Sequence, residues 1–419
     1  MNTAANTSFS LFLPCASGCE AWLAQEVRGL LSTGSAQAHE ARGGVRVQRA
    51  AWHDVLRLNL QSRLAQRVLI EVAHGRCRDA RALYALAASV PWERWFEVQR
   101  RFRVDATAHA AGGWRSLNYA ALCVKDAVAD RFRAHCGGVR PSVDTHTPDV
   151  RVALHLEGDA ATLSVDTSGE PLFKRGWRQG KGDAPLKETL AAAMLAACGW
   201  WLPAEQRVLD VPLYDPCCGS GTIVIEAAQM LLGAPAGGQR RFGFERLRRH
   251  DAALWRTTRQ QALDARCTDK AAPRIFGSDV SHRMADFAAR NAERAGVADA
   301  VQFRGGDALQ RLPPISQPGV LLLNPPYGQR IAAAGAAGVS ARQWQQQGQQ
   351  GEAGEGDAAE FFARLAAHWK THYGGWTAWL LTPDAQLPAR LRLKATRRVP
   401  LHNGPIECRL MRFELTARR

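Results

Sequence analysis

At 419 residues the chain is long for one hydrophobic core, and with 46% hydrophobic and 22% charged residues it is expected to fold as two or three domains. A formal net charge of +15 favours a polyanionic partner, nucleic acid first, over a small neutral substrate. No stretch approaches the ~20 apolar residues of a membrane span, and the ten cysteines, with Cys217 and Cys218 adjacent, lack zinc-knuckle spacing and read as reduced, buried thiols of a cytosolic protein.

The N-terminal run "FSLFLP" reads as a strand entering the helix "GCEAWLAQEVRGLL", since no basic residues precede it as in a secretory leader. "GGVRVQR" and "RFRVDATAH" read as strands, and "AWHDVLRLNLQSRLAQRVLIEV" as a helix passing into a strand, an α+β pattern too short for a large parallel sheet. "SLNYAALCVKDAVADRFRAHCGG" has helical spacing at Tyr119, Leu122, Val124, Ala127, Val128 and Phe132 and stops at Gly137 and Gly138. "VRVALHLEGD" and "AATLSVDTSG" form a hairpin turning at Gly158 and Asp159.

A polar, basic segment, residues 174 to 185, then introduces the apolar helix "LKETLAAAMLAACGWW", and a domain boundary is expected there. From residue 208 the order becomes regular: a strand ending at Asp215, a glycine loop, the helix "TIVIEAAQMLLG", and a basic insertion "GGQRRFGFERLRRH" that must loop out. The strand "PRIFGSDV", the helix "SHRMADFAARNAERAG" and the strands "AVQFRGGD" and "GVLLLNPPYG" follow. The pattern predicts an α/β, doubly wound, mostly parallel Rossmann-like sheet with ligands at the carboxyl ends of its strands. Residues 331 to 358, rich in Ala, Gly and Gln, read as a flexible insertion; helix and strand resume at "EFFARLAAHWKTHYGGWTAWLLTP", and the chain closes on a strand hairpin.

Four strand ends carry chemistry. In "LYDPCCGSGTIVIEAA" Asp215 ends a strand, Gly219 and Gly221 permit close backbone approach, and Thr222 opens a helix whose free N–H groups favour an anion. The third glycine of a dinucleotide motif is absent, since Val224 stands there, and a carboxylate ahead of the loop repels a pyrophosphate while it suits an ammonium. That polarity fits S-adenosylmethionine (SAM), whose methionine end carries both an amine and a carboxylate. Asp279 can accept from ribose hydroxyls, although alone it also reads as a helix N-cap, and Asp307 can accept from the adenine amine, although alone it also reads as a turn aspartate.

The fourth is "NPPYG". Proline has no N–H, so Asn324 to Pro326 can end a strand ladder while the Asn324 side-chain oxygen and the Pro325 carbonyl remain acceptors for one exocyclic NH2. Two acceptors localise the lone pair of an otherwise poorly nucleophilic aromatic amine and aim it at an activated methyl, and Tyr327 can stack on the base.

"DPCCGSGT", "GSDV", "GGDAL" and "NPPYG" together resemble a class I SAM-dependent methyltransferase of the amino-methylating kind, and "CVKDAVAD" with "RPSVDTHTPDVRVALHLEGDAATLSVDTSGEPLFKRGWR" resembles the RNA-binding THUMP domain and its exit. With "APLKETLAAAML" and "HNGPIE", the chain is similar over nearly its whole length to bacterial large-subunit rRNA guanine-N2 methyltransferases, as the L-type half of fused K/L enzymes. The resemblance implies a ferredoxin-like region at 1–49, a THUMP domain at 50–157, a connecting segment at 158–185 and the methyltransferase domain at 186–419, with no K-type activity.

It further implies SAM held by Asp215, Gly219, Gly221, Thr222, Asp279 and Asp307, and the target amine by Asn324, Pro325 and Tyr327. The implied substrate is guanine N2 in 23S rRNA or a ribosome assembly intermediate, with Lys125, Arg175, Arg100, Arg101 and Arg103 as candidate RNA contacts and Arg390, Arg392, Lys394, Arg397 and Arg398 as a second basic surface. A tRNA guanine, a DNA adenine N6, a protein glutamine, or non-catalytic RNA binding are the alternatives. The Gln-rich segment after Gly328 exceeds the family's usual connection.

Overall fold

The computed structural model describes residues 8–31, 34–112, 114–179, 186–267, 274–325 and 355–416. Contacts divide the chain into two units: Met1–Cys15 with Leu23–Arg175 and Pro235–Asp264, and Ala16–Trp22 with Gly176–Ala234 and Ala265–Arg419.

The first unit is built on one seven-stranded sheet of β1 (Phe9–Pro14), β2 (Gln37–Ala41), β3 (Gly44–Ala50), β4 (Leu69–Arg76), β5 (Phe102–His109), β6 (Val150–Glu157) and β7 (Ala160–Asp166), in the order β2-β3-β1-β4-β7-β6-β5. All neighbours are antiparallel except β5 and β6. Strand β6 shows the reason for the pairing: Val150, Val152, Leu154 and Leu156 alternate inward, so one face seals against helices and the other stays polar. The helix Leu117–His135 begins where the Ser116 hydroxyl accepts from the Tyr119 N–H at 3.1 Å, and it buries Ala120, Val124, Ala127, Val128 and Phe132.

The expected basic loop-out after the helix Thr222–Leu231 is instead a packed part of this first unit. Its residues run through a short turn into the helix Ala252–Asp264. Phe242 and Phe244 stack with centroids 5.2 Å apart, Trp255 meets both edge-on, and Trp52 closes the cluster against Phe244. Gly243 sits where a Cβ would lie 2.8 Å from the Gly169 nitrogen, so the chain can pass there only without a side chain.

The second unit contains a short pair, β8 (Trp201–Leu202) and β9 (Arg207–Val208), and a seven-stranded sheet of β10 (Leu213–Asp215), β11 (Ile275–Asp279), β12 (Val301–Gly305), β13 (Val320–Leu323), β14 (Thr377–Thr382), β15 (Arg397–Asn403) and β16 (Ile406–Glu414). Its order is β12-β11-β10-β13-β14-β16-β15, parallel through β14 and antiparallel over the closing β15–β16 hairpin. The parallel strands read as unbroken apolar runs because both faces are covered: Leu321, Leu322 and Leu323 are all fully buried. One face packs on Phe362, Leu365 and Trp369 of the helix Glu355–His372 and on Tyr373 just after it. Strand order reverses between β10 and β13, and the crevice at such a switch point is where a doubly wound sheet holds ligands.

Candidate active site

The carboxyl ends of β10 and β11 bring Asp215 and Asp279 to one edge, since Asp215 pairs with Gly277 across the two parallel strands. The loop after β10 is held tightly by backbone bonds: Cys218 N–H donates to the Ser278 carbonyl at 2.9 Å and Gly221 N–H to the Cys218 carbonyl at 2.8 Å. Gly219 (φ +52°) and Gly221 (φ +81°) adopt the left-handed conformation that favours glycine, and a Cβ on Gly221 would lie 3.0 Å from the Ala288 Cβ.

Asp279 spans loop and strand, its two oxygens accepting from the Gly219 N–H at 3.0 Å and the Ser281 N–H at 2.9 Å. Each carboxylate oxygen retains a second lone-pair direction for a ligand hydroxyl. Ser281, not Asp279, occupies the N-cap position of the helix His282–Ala295. Burial raises the Asp279 carboxyl above the ordinary range, opposed by those two N–H groups.

Asp215 is 2% exposed and accepts from the Cys217 N–H at 3.0 Å. Burial pushes its carboxyl up to about 8, the Cys217 N–H opposing and the Asp279 charge adding. A buried carboxylate with an acidic neighbour is a site short of one positive charge. Burial first, then the neighbouring carboxylates, raise the thiols of Cys217 and Cys218 far above their usual range, so neither is a thiolate nucleophile. All ten cysteines are free.

Sequence reasoning missed the residue that fastens this loop. Arg178 donates to the Glu188 carboxylate at 2.9 Å, to the Ser220 hydroxyl at 2.8 Å and to the Thr222 hydroxyl at 2.8 Å, while its guanidinium lies over the Trp177 ring. The Asn291 amide adds a bond to the Ser220 carbonyl at 2.9 Å. Thr222, 3% exposed, thus turns its hydroxyl to Arg178. The signal lies in "KRGWR", where Arg178 stands three residues after Arg175.

Asp307 follows β12 and accepts from the Leu309 N–H at 2.9 Å with its side chain, while its carbonyl takes Gln310 and Arg311. Its loop is pinned further on, where the Arg311 carbonyl accepts from the Tyr373 hydroxyl at 2.8 Å and lies 2.7 Å from His368 Nε2. Beside β10, β13 delivers Asn324, half-buried, and Pro325, buried, to the same edge. Tyr327 and residues 331 to 354 of the expected flexible insertion lie outside the described residues.

The candidate RNA contacts separate. Arg175 is 2% exposed and spends its guanidinium on the carbonyls of Leu172 at 3.0 Å and Arg63 at 2.8 Å, so it is a tie inside the first unit rather than a surface cation. Arg101 pairs with Asp144 at 2.8 Å, Arg103 with the Thr145 carbonyl and Asp105, and Lys125 with Asp126. The Arg100 Nε lies 3.9 Å from the Glu97 carboxylate and is buried without a hydrogen-bond partner among the described residues. In the second basic surface Arg390 pairs with Asp384 at 2.8 Å, while Lys394, Arg397 and Arg398 line one open groove.

Family models match the chain in three consecutive stretches: an RlmL ferredoxin-like domain at 10–69, a THUMP domain at 77–166 and an RMKL-like methyltransferase domain at 175–344. The chain thus carries a THUMP domain followed by an RMKL-like methyltransferase domain. A "Ribosomal RNA large subunit methyltransferase K/L" of Psychromonas ingrahamii is 34% identical to it over 98% of this chain and 51% of the relative, and one of Shewanella frigidimarina is 34% identical over 98% and 53%. The chain spans about half the length of the curated relatives it matches. Among solved structures, SMU.472 in complex with SAH superposes with TM-score 0.79 at 25% identity, covering 98% of this chain and 99% of that one. A Listeria monocytogenes protein described as a predicted N6-adenine-specific DNA methylase gives TM-score 0.81 at 27% identity over 99% and 98%. The site suits the SAM of such a fold: the charge-deficient Asp215 matches an ammonium, and the glycine loop at a helix start matches a carboxylate.

Proposed function

We propose that this chain transfers a methyl group from SAM to the exocyclic N2 of a guanine in large-subunit rRNA. The observation that carries the reading is the placement of Asn324 and Pro325 by β13 at the edge that also presents Asp215. Bound SAM supplies the activated methyl; the protein supplies position and electrostatics. Asp215 meets the ammonium, Asp279 the ribose hydroxyls and Asp307 the adenine amine. The Asn324 side-chain oxygen and the Pro325 carbonyl accept from the two hydrogens of the target amine, fixing its orientation, and Tyr327 stacks on the base. A guanine must leave its helical stack to reach them.

The Asn-Pro-Pro-Tyr turn suits several planar amines, and the name of the Listeria relative points to adenine N6 in DNA. The THUMP match and the rRNA names of the curated relatives favour RNA. The test compares nucleosides of rRNA and tRNA from cells with and without the protein. Loss of N2-methylguanosine from large-subunit rRNA alone is expected; loss confined to tRNA would reassign the substrate. Asn324→Ala should lower transfer by on the order of a hundredfold or more through lost alignment, with SAM affinity within a few fold. Wild-type turnover in that variant would remove Asn324 from the amine.

A further inference from the structure

The segment 235–264 carries seven arginines against three carboxylates, and none of those carboxylates pairs with an arginine of the segment among the described residues. Glu245 accepts from the Phe242 N–H at 2.7 Å, Asp251 from the N–H groups of Ala253 and Leu254 at 2.9 Å, and Asp264 from the Gln260 amide at 2.7 Å. The acids are consumed in shaping turns and helix.

The arginines divide by role. Arg240 docks the segment: its guanidinium donates to the carbonyls of Pro171 at 2.6 Å, Lys174 at 3.1 Å, Ser168 at 3.1 Å and Glu170 at 2.5 Å. Burial pushes it down to about 10, the neighbouring Arg175 acting in the same direction. Arg249 lies over the Phe9 and Trp95 rings at 5.3 and 5.6 Å. Arg241, Arg248 and Arg256 are exposed, with no hydrogen-bond or ion-pair partner for their side chains among the described residues. The Arg248 N–H donates to the Trp95 carbonyl at 2.9 Å, setting it beside exposed Arg94.

The segment also lines a cavity of about 310 Å³, to which Arg241 and Arg246 contribute together with Arg100 and Arg151. The carboxylates lining it are engaged: Asp149 with Arg101 and Arg246, Glu170 with Arg151 and Lys174, Glu245 with the Phe242 N–H. Arg100, whose buried Nε has no hydrogen-bond partner among the described residues, belongs to the same lining.

We infer that segment 235–264, which interrupts the methyltransferase sheet in sequence but folds into the THUMP-bearing unit, is an RNA-backbone-binding surface. Arg241, Arg248 and Arg256 contact phosphates. The inference rests on the RNA-substrate reading above and adds to it a surface contributed from outside the THUMP sequence. An outward guanidinium with no acidic partner is the group whose phosphate contact releases counterions without first breaking an ion pair.

The test measures binding of a protein-free large-subunit rRNA transcript by the full chain across ~50 to ~200 mM salt. The substituted chain carries Arg241→Gln, Arg248→Gln and Arg256→Gln together, with a second chain carrying glutamate at all three. Three lost contacts should reduce the slope of log affinity against log salt by roughly 2, and the glutamate chain should bind more weakly still. Both should retain wild-type SAM affinity and thermal unfolding. Unchanged slopes in both chains, with wild-type binding salt-dependent, would overturn the surface and leave the substrate reading standing. A wild-type chain that fails to bind the transcript would sink the substrate reading, and this surface with it.

Discussion

Asp215 shows how one residue ties pH to ligand state. Its carboxyl is raised to about 8 in the fold, against 3.8 for the unperturbed group. A raised folded value means that the unliganded fold gains from the protonated form. That contribution is fully present below the unfolded value and is lost as pH rises through the folded one, so apo stability should decline between about pH 4 and pH 8. A cationic ligand reverses the balance, and SAM affinity should therefore rise over the same interval. Asp215→Asn, which keeps an acceptor for the Cys217 N–H, should flatten the melting-temperature profile and abolish the pH dependence of SAM affinity. An unaltered profile would show that Asp215 is not the titrating group. Asp279→Ala should cost ~1 to 3 kcal/mol of SAM binding from lost charged hydrogen bonds, measurable by titration, because its oxygens are aligned by Gly219 and Ser281. Arg178→Met, which removes the cation beside buried Glu188, should lower stability by about 3 kcal/mol or more in denaturant unfolding.

At the scale of elements, strand ends were the readable part of this chain. Asp215, Asp279 and Asn324 each close an apolar run, and apolar runs alternating with amphipathic helices fix which ends align. The glycine loop was equally readable, because Gly221 needs both a left-handed φ and an absent Cβ. Gly221→Ala should cost more than ~1 kcal/mol, the strain of that backbone plus the Ala288 clash. Less visible was which of several arginines turns inward: Arg175 and Arg178 sit three residues apart in one basic stretch, and only the path of the chain sends one to the carbonyls of Arg63 and Leu172 and the other to Ser220 and Thr222. The tertiary destination of "GGQRRFGFERLRRH" was hidden for the same reason. Its aromatic residues announce burial, but against Trp52, which lies far away in sequence.

At the scale of the molecule, the first unit reclaims a piece of chain from the middle of the second unit's sequence, and the ends of that piece show how it can be removed. A Cβ on Gly233 would lie 3.7 Å from the Ala265 carbonyl, and the Cys267 N–H donates to the Leu232 carbonyl at 2.9 Å. Chain leaving at Ala234 therefore returns beside its point of departure, and a linker of about three residues closes the gap at small entropic cost. Two truncations then separate what each unit needs. A chain lacking residues 1–175 but keeping 235–264 would expose Phe242, Phe244 and Leu247, all buried in the first unit, and should aggregate. A chain lacking both segments, and with them the Ala16–Trp22 piece of the second unit, should bind SAM within a few fold of the full protein, since Asp215, Asp279 and the Arg178 clamp all lie in the part of the second unit that is kept. It should also lose salt-dependent affinity for structured RNA. Retained affinity would place RNA recognition in the methyltransferase unit, where Lys394, Arg397 and Arg398 are the cations to substitute next.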